Sequence, residues 1–306
     1  MKLHACILCN NTETVFIENI KKTDLNKAYL RYLQCKTGYP ETGLISYWKC
    51  NNCSLHFFDP TAAGEEELYL QLNKHPWYYM AEKPEYALAA AHLPKQGAIL
   101  EVGSGNAAFA KFCGTERYTG IEFNDAAIAL AKTQNISLIK ESIEIHAEKN
   151  KGKYQCVINF QVLEHVKNPA IFIQKCLEAL APGGTLIISV PNHSGICGNS
   201  QNNLLDMPPH HISHWSEKTM HYIGKKFKLK IISIETENIA PYHQEWAASL
   251  YHDRRMRNFF RLKNTLLDFS LQSRIISKIA RHMGKISKRK LLTNKGHAMI
   301  TCYQKE

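Results

Sequence analysis

From residue 98 onward, short apolar runs alternate with stretches of helical period. This alternation restricts the fold more than any other feature of the 306-residue chain. Strands are expected at 98–102, 118–122, 137–140, 155–160 and 185–190, with helices between them at 107–113, 126–134 and 169–180. Further strands are expected at 229–235 and 297–303. A chain that passes from strand to helix to strand recrosses the sheet before pairing again, which makes the neighbours parallel. The expected fold class is therefore α/β, with a doubly wound, mostly parallel, seven-stranded sheet.

The first strand runs into Glu101-Val102-Gly103-Ser104-Gly105-Asn106 and then into a helix. Glycines at such a turn let the backbone bend tightly and approach a ligand at the carboxyl edge of the sheet. With Ala108 the run satisfies G-x-G-x-x-A, a dinucleotide fingerprint of low specificity taken alone. Glu122 ends the next strand, where a carboxylate can accept both hydroxyls of a ribose. Glu101 narrows the ligand further. Its charge repels a pyrophosphate but suits a molecule carrying an ammonium and a sulfonium. An NAD-dependent oxidoreductase is thereby disfavoured; the bland alternative is a helix-capping turn that binds nothing.

Five motifs in order make residues 97 to 235 resemble the class I methyltransferases that use S-adenosylmethionine (SAM). They are Glu101-Val102-Gly103-Ser104-Gly105, Gly120-Ile121-Glu122, Lys140-Glu141-Ser142, Asn159-Phe160-Gln161-Val162-Leu163-Glu164-His165-Val166 and Leu180-Ala181-Pro182-Gly183-Gly184. The resemblance implies a Rossmann-like methyltransferase fold. It sets Glu101 and Gly103 toward the methionine part of the cofactor and Glu122 at the ribose, with Ser104, Gly105, Phe123 and Asn124 also at the cofactor. It sets Glu141 and Ser142 beside the adenine, and Phe160 along the methionine side. Relatives that methylate base amino groups often carry Asn/Asp-Pro-Pro-aromatic where this chain has Asn159-Phe160-Gln161-Val162. That departure argues against amino methylation of nucleic acid.

Ahead of this core stand two C-x2-C pairs, Cys6/Cys9 and Cys50/Cys53, among ten cysteines. Two such pairs can supply a tetrahedral zinc site, although the interval between them is longer than usual. Four unligated thiols are the alternative, and His4 and His56 are near enough to be spare ligands, with a supporting or surface role expected for both. Cys35, Cys113, Cys156, Cys176, Cys197 and Cys302 read as thiols of a reducing cytoplasm, several of them in apolar segments. The run Cys50-Asn51-Asn52-Cys53-Ser54-Leu55-His56-Phe57-Phe58-Asp59-Pro60 resembles zinc-ribbon-headed methyltransferases of sugar and cell-surface polysaccharide biosynthesis. There the head is expected to cover the acceptor site. The chain then divides into a zinc-ribbon-like module (1–60), a helical linker (61–96) with the aromatic patch Trp77-Tyr78-Tyr79, a SAM-binding core (97–240), a basic helical insertion (241–295) and a last core strand (296–306).

A hydroxyl or acidic C–H acceptor needs a base near neutral pH, and histidine suits that task. One candidate is His165 with Glu164, just past the fourth strand. The other is the proline-led loop Asp206-Met207-Pro208-Pro209-His210-His211, whose counterparts in the zinc-headed relatives face the acceptor. A structural hydrogen bond to loop backbone is the alternative for each histidine, and His214 is expected to help cap a helix beginning near Ser216-Glu217.

The net charge of +11 is concentrated: residues 254–295 hold thirteen Lys/Arg and one acid, Asp268, leaving the remainder near neutral. Ile275, Ile276, Ile279, Met283 and Ile286 recur there at helical spacing. Such a helix packs on the body, lies on an anionic membrane or binds a phosphorylated acceptor. Packing is taken first and nucleic acid last, because the nearby aromatics form no stacking platform. No apolar run approaches bilayer length and the start MKLHACILCNN lacks an export core, so a cytoplasmic protein is expected. The expected function is SAM-dependent methyl transfer to a hydroxyl or carbon of a small, carbohydrate-type or anionic acceptor. An RNA methyltransferase and a non-catalytic partner on the same fold are the rivals.

Overall fold

The computed structural model describes residues 4–60, 63–64, 66–75, 82–195, 198, 200–287 and 296–306. Trp77, Tyr78, Tyr79, Cys197, Lys288, Arg289, Lys290 and Lys295 lie outside these residues. The chain opens with β1 (Thr14–Lys21), α1 (Lys22–Leu33), β2 (Leu44–Cys50) and β3 (His56–Asp59), followed by α2 (Glu66–Leu72) and α3 (Pro84–Ala90). The core then runs β4 (Ile99–Val102), α4 (Ala110–Cys113), β5 (Tyr118–Ile121), α5 (Asp125–Thr133), α6 (Ile143–Lys149), β6 (Tyr154–Phe160), α7 (Pro169–Ala179) and β7 (Leu180–Pro191). After β8 (Ser213–His214) come α8 (Glu217–Phe227), β9 (Leu229–Thr236), the hairpin α9 (Gln244–Phe259) and α10 (Leu271–Ser287), and finally β10 (Ala298–Lys305).

The central sheet is six-stranded and mixed, in the order β5-β4-β6-β7-β10-β9, rather than seven-stranded. The pairs β4–β5, β4–β6 and β6–β7 are parallel, while β10 is antiparallel to both β7 and β9. The strand expected at 137–140 shrinks to one bridge, Ile139 to Ile121. Its extension is cut off because Ser142, three residues on, turns the chain into α6 by accepting the Ile145 N–H. The two central strands β4 and β6 are almost wholly buried, as strands covered by helices on both faces must be.

Two helix limits also shift. The helix expected from 107 starts at Ala110 because Ala107 is still in the left-handed region, at φ 58°. The helix expected to reach 180 stops at Ala179, since Leu180 is extended and pairs with Tyr154. Pro182-Gly183-Gly184 therefore lies within β7.

The front segment builds its own antiparallel sheet, ordered β1-β2-β3-β8. Its last strand comes from the chain beyond β7, so residues 1–60 are closed by the catalytic segment. Cys6, Leu8, Cys53, Leu55 and Phe57 share one apolar core with Leu100, Val157 and Ile188. His214 does not cap α8: Ser216 does, accepting the Thr219 N–H, while His214 Nδ1 meets the Tyr47 hydroxyl at 2.7 Å. His4 pairs with Asp59 at 2.6 Å, and the His56 ring packs against those of Tyr47 and His193. No helix among the described residues is long and apolar enough to cross a membrane.

Candidate active site

A cavity of about 830 Å³ opens at the carboxyl edge of β4, β5 and β6. All ten residues expected at the cofactor (Glu101, Gly103, Ser104, Gly105, Glu122, Phe123, Asn124, Glu141, Ser142 and Phe160) line it. Gly103 sits at φ 70°, and a Cβ there would lie 2.6 Å from Val162 Cγ2. Only glycine both adopts that turn and leaves the space. The glycine turn and the second acid are one unit. The Gly105 N–H donates to Glu122 Oε2 at 2.7 Å, and the Phe123 and Asn124 N–H groups donate to Oε1 at 2.8 and 2.9 Å.

Other members carry structural duties as well. Asn124 caps α5 by accepting the Ala126 and Ala127 N–H groups. Glu141 is held by His146 at 2.6 Å and Lys149 at 3.0 Å, and the His146 hydrogen bond keeps its carboxyl below the usual range. Phe160 packs between Tyr86 and Phe109, with ring centroids 4.8 Å from each. Glu101 is buried and accepts the Tyr118 hydroxyl at 2.5 Å; burial pushes its carboxyl up to about 8.

His165, His210 and His211 meet on the far wall, their candidate ligand atoms within 4.8 Å of one another. Each Nδ1 faces an acceptor: the His210 carbonyl at 2.6 Å for His165, the Leu205 carbonyl at 2.7 Å for His210, and Asp206 Oδ1 at 3.0 Å for His211. A neutral ring that donates from Nδ1 carries its lone pair on Nε2. Burial holds His165 down to about 4 and both His210 and His211 well below the ordinary value, which favours the neutral form of all three rings. Glu164 does not reach the cavity. It is fully buried, its Oε1 lies 3.8 Å from His211 Nε2 and 4.0 Å from His165 Nε2, and neither oxygen has a hydrogen-bond partner among the described residues. Burial raises its carboxyl to about 8.

The front sheet positions this wall. The Phe58 N–H donates to the Ile212 carbonyl at 3.0 Å, and the Ile212 N–H to the Glu164 carbonyl at 2.9 Å. The histidine loop is thus strung between β3 and the turn after β6. Sequence reasoning did not find Lys83, Glu85, Glu237, Tyr242 or His297, which also line the cavity. Glu85 and Glu237 form a buried carboxyl pair, and burial followed by Glu85 pushes Glu237 up to about 8. They come from α3 and the end of β9, about 150 residues apart, and no local motif marks them.

In the front segment the Sγ atoms of Cys6 and Cys53, and of Cys9 and Cys50, lie 3.5 Å apart, and all four sulfurs fall within 4.8 Å. Zinc–sulfur bonds of about 2.3 Å at tetrahedral angles place sulfurs about 3.8 Å apart, so the cluster fits that ion. Hydrogen bonding to Cys53 draws Cys6 down to about 6, while burial raises Cys50 to about 11.

The sequence model of the methyltransferase-domain family matches residues 72–234. The chain is similar to the ubiquinone biosynthesis O-methyltransferases of Escherichia fergusonii and Shigella boydii, at 29% identity over 105 residues, covering 32% of this chain and 44% of theirs. It therefore spans less than half the length of the curated relatives it matches. Among solved structures it is similar to a SAM-dependent methyltransferase from Archaeoglobus fulgidus, at 15% identity and a TM-score of 0.45, covering 72% of this chain and 94% of that one. Another, from Mesorhizobium loti, gives 12% identity and a TM-score of 0.46, covering 73% and 98%.

Proposed function

The chain belongs to the methyltransferase-domain family, a SAM-dependent methyltransferase, and on that premise we propose that it methylates a hydroxyl oxygen of a small, hydroxyl-rich acceptor of the carbohydrate type. One observation carries this reading. A single cavity runs from the glycine turn and Glu122 to three neutral histidines and the Glu85–Glu237 pair. Buried carboxyls and imidazole lone pairs accept O–H groups. The relatives named as O-methyltransferases favour oxygen as the accepting atom.

SAM, when bound, supplies a methyl group on a positively charged sulfur. Glu122 would hold the ribose hydroxyls, its position fixed by three backbone N–H groups, and Glu101 would face the ammonium. Burial at Phe160 and the histidine wall would limit water, and the lining side chains would hold the acceptor against the cofactor. His211 takes the acceptor proton on Nε2. Asp206 keeps its ring oriented through Nδ1 and stabilises the charged ring, as Glu164 does from the other side. His165 and His210 complete the wall. The four front thiols would hold a zinc ion, and their part is to brace the sheet from which the histidine loop hangs.

Calorimetry with SAM and its demethylated product tests the cofactor half. Binding should occur and should weaken at least about ten-fold in Glu122→Gln, which leaves one of the three amide donors facing an NH₂ group. A panel of hydroxylated acceptors with labelled SAM tests the other half. Methylation confined to amines would overturn the proposal.

A further inference from the structure

Of the three readings open for the α10 stripe, packing on the body holds for Ile276 alone. Ile276 is 5% exposed, but Ile275 is 51%, Ile279 43%, Met283 39%, Leu271 73% and Ile286 75% exposed. At roughly 100° per residue the helix has three faces. Ser273, Ile276, Ala280 and Gly284 form the buried one, which packs on α9. Gly284 makes that contact close, since a Cβ there would sit 2.2 Å from Ser249 Oγ. Leu271, Ile275, Ile279, Met283 and Ile286 form the second, an exposed apolar stripe. Arg274, Lys278, Arg281 and Lys285 form the third, also exposed and adjoining the stripe.

Among the described residues, Arg274, Lys278, Arg281 and Lys285 form no ion pair, and Asp253 and Asp268 on the same hairpin are both taken by the buried Arg257, at 2.6 and 3.2 Å. Contacts between Arg257 and Ser273 and between Ser249 and Gly284 show that α9 and α10 run antiparallel. The exposed Phe259 and Phe260 therefore stand at the hairpin end where Leu271 begins. An apolar stripe beside a row of cations fits the boundary between headgroups and acyl chains, where the stripe enters and the cations meet lipid phosphates. A second copy of this chain would bring like charges together.

We propose that the α9–α10 hairpin is a docking surface for an anionic lipid bilayer, engaged through the α10 stripe and its basic flank. The root of the hairpin, Tyr242 and His243, lines the cavity. Docking therefore holds the active site within about one helix length, roughly 24 Å, of the bilayer.

Co-sedimentation of the full chain with phosphatidylcholine vesicles, with and without phosphatidylglycerol, is the test. Binding should require phosphatidylglycerol and fall with salt. It should drop at least ten-fold in Ile275→Glu/Ile279→Glu and, at roughly five-fold per lost cation, by more than ten-fold in Lys278→Glu/Arg281→Glu. All four positions are exposed, so circular dichroism and SAM binding should match wild type. A wild-type chain that stays in the supernatant overturns the proposal, as does binding that survives both variants. So does an oligomer that the isoleucine pair dissolves, which would make a second copy the occupant.

Discussion

The Nδ1–H of His211 donates to Asp206 Oδ1 at 3.0 Å, and the same carboxylate lies 3.4 Å from His214 Nε2. Asp206 therefore joins the histidine wall to the front sheet, because His214 pairs with His56 across β3 and β8. Its removal separates positioning from binding. Asp206→Asn keeps the volume but lets the amide turn its NH₂ toward the ring, which disfavours the tautomer with an open Nε2. The expected result is a kcat lower by between about ten- and a thousand-fold with unchanged affinity for SAM. Single-turnover methylation alongside calorimetry checks it; equal losses in both would assign Asp206 to cofactor binding instead.

In the proposed site, Glu101 makes cofactor binding depend on pH. Burial raises its carboxyl to about 8, so below that value the free site holds a proton there. A cation at the carboxyl favours the ionised form, and binding expels the proton. Affinity for SAM should then rise with pH and level off above about 8, by at most about ten-fold per unit. Calorimetry in two buffers of different ionisation heat reads the released proton directly. Glu101→Gln should bind more weakly and show no pH dependence; an unchanged slope in that variant contradicts the assignment.

In the proposed mechanism a second carboxyl raised to about 8, Glu164, shapes turnover rather than binding. Charge on Glu164 helps the His211 ring accept a proton, so kcat at saturating SAM should climb with pH through about 8. Saturation removes the contribution of Glu101, which separates the two acids. Glu164→Gln should abolish that limb and lower kcat by about ten-fold or more. If the limb persists in the variant, another group produces it.

How much of this was legible follows from where each contact is made. The glycine turn, Glu122 and the cap at Asn124 interact within about 20 residues, and local chain geometry writes them into the sequence as motifs. The helix-and-strand alternation is local too, and it placed every core strand except 137–140, whose pairing is cut short by the Ser142 cap. Glu85 and Glu237 meet only after the sheet has formed, and each sits in an otherwise apolar or amphipathic run that hides it. The α10 repeat has the right period, yet only Ile276 of its five apolar residues lies on the buried face. Periodicity reports amphipathicity, but it does not say which side a neighbouring helix occupies. Likewise, two C-x2-C pairs marked the cysteine cluster, yet no local feature showed that residues 213–214 would complete its sheet.

For the proposed zinc site, that last connection makes metal removal a test of catalysis as well as of stability. The four thiols share a core with the central sheet, through Cys6, Cys53 and Leu55 against Leu100 and Val157. Stripped of the proposed ion, sulfurs within 4.8 Å cannot all carry charge, and the knuckles would lose the bonds that brace β2 and β3. Strand β3 in turn holds Ile212, and Ile212 holds the turn at Glu164. Chelation, or Cys6→Ser with Cys9→Ser, should therefore lower the melting temperature by about 2 to 4 °C for each kcal/mol lost. It should also reduce kcat more than it weakens SAM binding, because the glycine turn and Glu122 are fixed by β4 and β5, on the other side of the cavity. Thermal melts, calorimetry and turnover on the same stripped sample decide the matter. A stripped protein that melts lower but turns over normally would show that the front sheet braces the fold without positioning the histidines.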